Sequence, residues 1–157
     1  MKLTPHEHKI HLHFKPGILT KNGFLGHDKR HIHDIVLHDQ RTLKNIGVDA
    51  ETIAEKLQEF IMIGELGMGG TIEHGDFEVQ VFWHKGKMPC PFGEPGLHHK
   101  IVATVKNMKL NKKIHYSQLS IHLIKEHCFF GGTGSTYRLE PEDVVEVLGL
   151  QKKVTED

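Results

Sequence analysis

The sequence predicts an α+β domain: a mostly antiparallel sheet of about five strands with two or three helices packed on one side. Three observations lead there. Phe77, Val79, Val81 and Trp83 alternate with polar residues, the period of a strand with one buried face. Ala50, Ile53, Ala54, Leu57, Phe60 and Ile61 recur at helical spacing, with Glu51, Glu55, Lys56 and Glu59 on the other side. The segments follow the order β-β-α-β-β-β-α-α, with no internal repeat and no linker.

The elements follow from the residues in turn. Between Leu3 and Lys15, Ile10, Leu12 and Phe14 share one parity and Lys9, His11, His13 and Lys15 the other, which predicts a strand. Thr4-Pro5-His6-Glu7 is a competing capping box. Pro16-Gly17 ends the element, and Asn22-Gly23 marks a turn. His31 to His38, rich in Ile, Val and Leu with broken alternation, predicts a strand covered on both faces.

Asp49 is a good N-cap for a helix from about Ala50 to about Ile63, stopped by Gly64 and Gly67. Thr71 to His74 and Phe77 to His84 flank Gly75-Asp76 and predict a hairpin, with Phe77, Val79, Val81 and Trp83 inward. Lys85 to Leu97 is a loop punctuated by Pro89, Pro91, Gly93, Pro95 and Gly96. His98 to Met108 returns to strand, with Ile101, Ala103 and Val105 inward.

Ile114 to His127 predicts a second helix, and Gly131 to Ser135 a flexible loop. A short helix follows, with Pro141 near its start and Gly149 at its end. Residues 1–150 thus read as a single domain, long enough to bury its own core, and 151–157 as a frayed charged tail.

Lys+Arg and Asp+Glu both number 20, so the formal charge is zero near pH 7. Such a balance speaks against nucleic acid or an acidic membrane as partner, each of which calls for a basic excess. The basic run Lys106 to Lys113 is too short to reverse this. No stretch approaches the roughly 20 apolar residues of a membrane span. Two cysteines, Cys90 and Cys128, make neither a disulfide framework nor a Cys-rich zinc module, and a cytoplasmic location is the default.

The chemistry lies in the fifteen histidines, eight of which fall between His6 and His38. His11-Leu12-His13 and His31-Ile32-His33 are His-x-His pairs. On a strand, i and i+2 side chains leave one face about 6.6 Å apart, close enough to bend toward one ion. Two such pairs on neighbouring strands would set four nitrogens over one patch of sheet. The predicted site is therefore a divalent-metal centre of His11, His13, His31 and His33. Imidazole ligation suits a transition metal, zinc first.

Two other functions fit the same residues. One is a small metal-dependent hydrolase with an open coordination position that activates water. The other is a metal-free partner-binding or self-associating module, a homo-oligomer for instance, whose histidines give a pH response. The sequence names no small-molecule substrate and does not decide whether the protein is an enzyme.

The remaining candidates read as structural. His98 and His99 should point to opposite faces of a strand. His115 and His122, seven residues apart, should share one side of the second helix, where they could form a second site but read as solvated polar surface. Cys90 could be a base-activated nucleophile but reads as an incidental thiol, and Cys128 as a buried one. Gly131 to Ser135 could cradle a phosphate, yet Tyr137-Arg138-Leu139 stands where a helix should begin, which favours a connector.

Overall fold

A computed structural model describes residues 10–14 and 23–150. In chain order the elements are α1 (Ile32–Ile46), α2 (Ala50–Glu65), β1 (Ile72–His74), β2 (Phe77–Pro89), β3 (Leu97–Asn107), β4 (Lys112–Ser117), α3 (Gln118–His127) and α4 (Pro141–Leu148). Residues 10–13 form a further helical segment. The strands make an antiparallel meander in the order β1-β2-β3-β4. The α+β class holds, with four strands rather than about five and five helical segments rather than two or three among the described residues.

The principal core lies between the sheet and α2, α3 and α4. Val79 and Val81 of β2, Ile101, Ala103 and Val105 of β3, and Ile114 and Tyr116 of β4 are buried. They cluster with Leu57, Phe60 and Ile61 of α2, Ile121 and Ile124 of α3, and Val144 and Val147 of α4. Side chains of this size each contribute about 1.5–3 kcal/mol when fully buried. Helix α2 lies directly on β2: a Cβ at Gly64 would sit 2.3 Å from Val81 Cγ2. Tyr116 carries its hydroxyl into this core and donates it to the Leu57 carbonyl at 2.7 Å, which satisfies a buried polar group.

The expected hairpin, its Gly75-Asp76 turn and helix α2 appear as read from the sequence, with Asp49 Oδ1 accepting from the Thr52 amide at 2.7 Å. Trp83 departs from the expected pattern. It is 58% exposed and tilts against the His99 ring, near the bulge at His84–Lys87 where the β2–β3 ladder shifts register.

Three element expectations are corrected. First, His31 to His38 is not a strand but the start of α1. Ile32, Ile35, Asp39 and Leu43 are the buried residues of this helix, a stripe at helical spacing whose first members look like broken alternation. Second, residues 10–13 of the expected first strand are helical; Leu3 to Lys9 and Lys15 lie outside the described residues. Third, Ile114 to Ser117 is strand. Ile114 and Tyr116 alternate inward, His115 pairs with Thr104, and the helix begins only after Ser117, whose hydroxyl accepts from the Ser120 amide in a capping box. The long loop also shrinks to residues 90–96, because β2 and β3 continue to the Pro89–Leu97 pair.

A second, smaller core holds Phe14, Leu25, Ile32, Ile35, Cys90, Leu119, Leu123 and Phe129. Phe14 packs edge-on against Phe24, Phe92 and Phe129, which ties residues 10–14 to the Cys90 loop and to the end of α3. Deeper in, Arg138 grips Asp39 of α1 through two hydrogen bonds of 2.6 and 3.0 Å, with the Asp39 side chain fully buried.

The Gly131 to Ser135 loop is a structural connector. The Gly132 amide donates to the Phe24 carbonyl, the Thr133 amide to Asp28 Oδ2, and the Ser135 amide to the Gly132 carbonyl. These amides are spent inside the protein, which leaves them unable to cradle a phosphate.

Candidate metal centre

The short loop after β2 and the carboxyl-terminal half of α3 converge on one point. Cys90, Glu94, His122 and His127 each offer a donor atom, and these atoms all lie within 4.8 Å of one another. Cys90 Sγ stands 3.9 Å from His127 Nε2. Glu94 Oε2 is 3.7 Å from His122 Nε2, and Glu94 Oε1 contacts His127 Nε2 directly. A tetrahedral zinc with bonds of about 2.0–2.3 Å has ligand–ligand edges of about 3.3–3.8 Å, close to the Cys90–His127 and Glu94–His122 separations.

Local structure explains the placement. Pro89 and Pro91 bracket Cys90, and the Gly93 amide closes a turn onto the Cys90 carbonyl at 3.0 Å, which brings Glu94 back over the sulfur. On α3, His122 and His127 are separated by four residues, within the three to five common between zinc-binding histidines. The helix ends at His127 because Cys128 takes the left-handed cap conformation, φ 52°. Phe92 stacks on the His127 imidazole with ring centroids 3.8 Å apart, fixing the ring plane.

The electrostatics suit a cation. Burial pushes the Cys90 thiol up; the backbone amides of Phe92, Glu94 and Gly93 act against this by favouring the thiolate, while the Glu94 charge adds to the rise. Burial lowers His127 despite the adjoining Glu94, which keeps the imidazole neutral and able to donate a lone pair. His98 is likewise lowered by burial and by His122, whose ring lies 4.4 Å away.

The clearest sign is His122 Nε2. It is buried with no hydrogen-bond partner among the described residues. Such an atom carries a desolvation cost of about 1–3 kcal/mol unless something satisfies it. A metal ion at the centre of the four donors would do so. A thiolate and a carboxylate would also neutralise a divalent charge at a largely buried point.

The predicted histidines are placed differently. His31 is the N-cap of α1 and accepts from the His33 amide through Nδ1 at 3.1 Å. On a helix, residues i and i+2 lie on opposite sides, so the strand argument for the second pair does not apply. His13 Nδ1 is 3.1 Å from the Pro91 carbonyl. The His11 and His31 rings are stacked with centroids 4.4 Å apart, so one residue from each predicted pair does meet the other. His31 Nε2 is, like His122 Nε2, buried without a hydrogen-bond partner among the described residues.

From the sequence, Cys90 reads as an incidental thiol and His122 as polar surface in preference to a second site, and Glu94 and His127 carry no distinguishing signal on their own. His115 belongs to β4 and hydrogen-bonds Thr104 Oγ1 at 2.9 Å, so it does not share a face with His122. The available signal was the Cys-x3-Glu spacing in a Pro/Gly-rich loop together with His-x4-His near a helix end.

Among the described residues no helix is long and apolar enough to cross a membrane. Comparison with known protein families, with curated proteins and with solved structures finds no match to this chain.

Proposed function

We propose that this protein binds a divalent transition metal, zinc by preference, through Cys90, Glu94, His122 and His127. The observation that carries this reading is His122 Nε2, buried in a four-donor cluster with no hydrogen-bond partner among the described residues. One thiolate, two imidazoles and a carboxylate suit zinc in charge and softness. Four protein donors close a tetrahedral shell, which favours a structural metal joining the β2–β3 loop to α3 over a hydrolytic one with an open position. Displacement of Glu94 by water would convert it to the hydrolytic form.

Elemental analysis of full-length protein, prepared without a tag or metal column, tests the proposal. The expected result is about one zinc per chain, lost in Cys90→Ser and His127→Ala. Metal-free protein whose melting is unchanged by added zinc would overturn it.

A second reading keeps a metal at the amino-terminal histidines. The His11–His31 stack and the buried His31 Nε2, which has no hydrogen-bond partner among the described residues, favour it over the bare His-x-His pattern. The full predicted set of His11, His13, His31 and His33 belongs to this reading. It predicts zinc loss in His11→Ala with His31→Ala and retention in Cys90→Ser.

A further inference from the structure

A cavity formed by the described residues shares no lining residue with the metal cluster. Its volume is about 570 Å³, within the range of about 300–1,000 Å³ typical of small-molecule sites. Its walls are mostly apolar, with Phe24, Val102, Leu119 and Tyr137 prominent. Val102 faces away from the principal core, opposite in parity to the buried Ile101 and Ala103, so this cavity belongs to the other face of the sheet.

Its charge has one sign. Lys85 and Lys100 line it together with His84 and His99, and no Asp or Glu among the described residues does. Neither lysine is ion-paired among the described residues, whereas Lys56, Lys109 and Lys112 each meet a carboxylate.

The bulge in β2 places these cations. The ladder shifts between His84 and Lys87, and Gly86 within it has φ +97°. The Lys100 side chain lies across Gly86, its Nζ 3.9 Å from where a Cβ would stand. Bulges of this kind re-aim side chains and are common beside binding sites.

We infer that this cavity binds a small organic anion, an aryl carboxylate or its like, with the ring against Phe24 and Tyr137 and the anionic group between Lys85 and Lys100. A flat apolar body suits the aromatic walls. Two free ammonium groups at the edge of an apolar cavity favour a monoanion over its neutral analogue.

The test is titration of the full chain with 1-naphthoate and with the neutral 1-naphthylmethanol, followed by amide chemical shifts. The expected result is saturable one-to-one binding of naphthoate, with shifts at Val102, Ser117 and Leu119. The exposed double variant Lys85→Met/Lys100→Met should weaken naphthoate at least about tenfold, equivalent to about 1.4 kcal/mol, and leave naphthylmethanol unchanged. No saturable binding, equal affinity for the two probes, an unaffected double variant, or shifts centred on exposed Trp83 would each overturn the inference.

Discussion

Cys90 Sγ and His127 Nε2 stand 3.9 Å apart although they are 37 positions apart in the chain. One residue follows the last strand pair of the hairpin, and the other ends a helix. The contact exists because Phe92 stacks on His127 and because Cys90, Phe129 and Leu123 share one small core.

This arrangement makes zinc affinity depend on pH in one direction. Burial raises the Cys90 thiol above its usual value, so the sulfur is protonated at neutral pH, and binding as thiolate must release that proton. Zinc affinity should therefore rise with pH through the neutral range, by about tenfold per pH unit for the one proton released. Competition against a chromophoric chelator at several pH values measures the slope. A flat profile would mean that Cys90 is not a ligand.

Asp39 and Arg138 form the most deeply buried ion pair among the described residues, with side chains 0% and 8% exposed. Removing one partner strands the other charge away from water. Asp39→Ala should cost about 3–5 kcal/mol of unfolding free energy. The double variant Asp39→Leu/Arg138→Met should recover most of that loss, because two apolar side chains leave no uncompensated charge. Urea denaturation of both variants checks the prediction, and a double variant as unstable as Asp39→Ala would refute it.

Gly26 marks where the loop after residue 23 presses on the 131–135 loop. A Cβ there would lie 2.3 Å from the Ser135 nitrogen and 2.4 Å from the Gly134 carbonyl carbon, all backbone, at φ +58°. Gly75 has nearly the same φ, +59°, with nothing within 4 Å of a built Cβ. Gly75→Ala should therefore cost only the left-handed backbone penalty of about 1–2 kcal/mol. Gly26→Ala adds a clash that no side-chain rotation relieves, so its melting point should fall clearly further. Equal losses in the two variants would show that the loops separate easily.

The sequence by itself determined the elements whose polar and apolar residues alternate or recur cleanly. Asp49 and the stripe from Ala50 to Ile61 fit only a helix, and Val79 and Val81 alternate as an inward-facing strand. It was ambiguous where a short apolar run fits two periods. Ile32, Ile35, Val36 and Leu37 serve a helix as well as a covered strand, and only packing of Ile32 and Ile35 into the small core selects the helix. Likewise, Ile114 and Tyr116 suit either period until pairing with β3 makes them strand.

For the site, the sequence supplied the chemistry of abundant imidazole but not its location. Ligand spacing within one element is visible in the chain, whereas Cys90 and Glu94 meet His122 and His127 only when a strand end and a helix end are brought together. Tertiary packing decides that, because metal ligation needs donor atoms within a few ångströms, and sequence separation places no bound on distance in a folded chain.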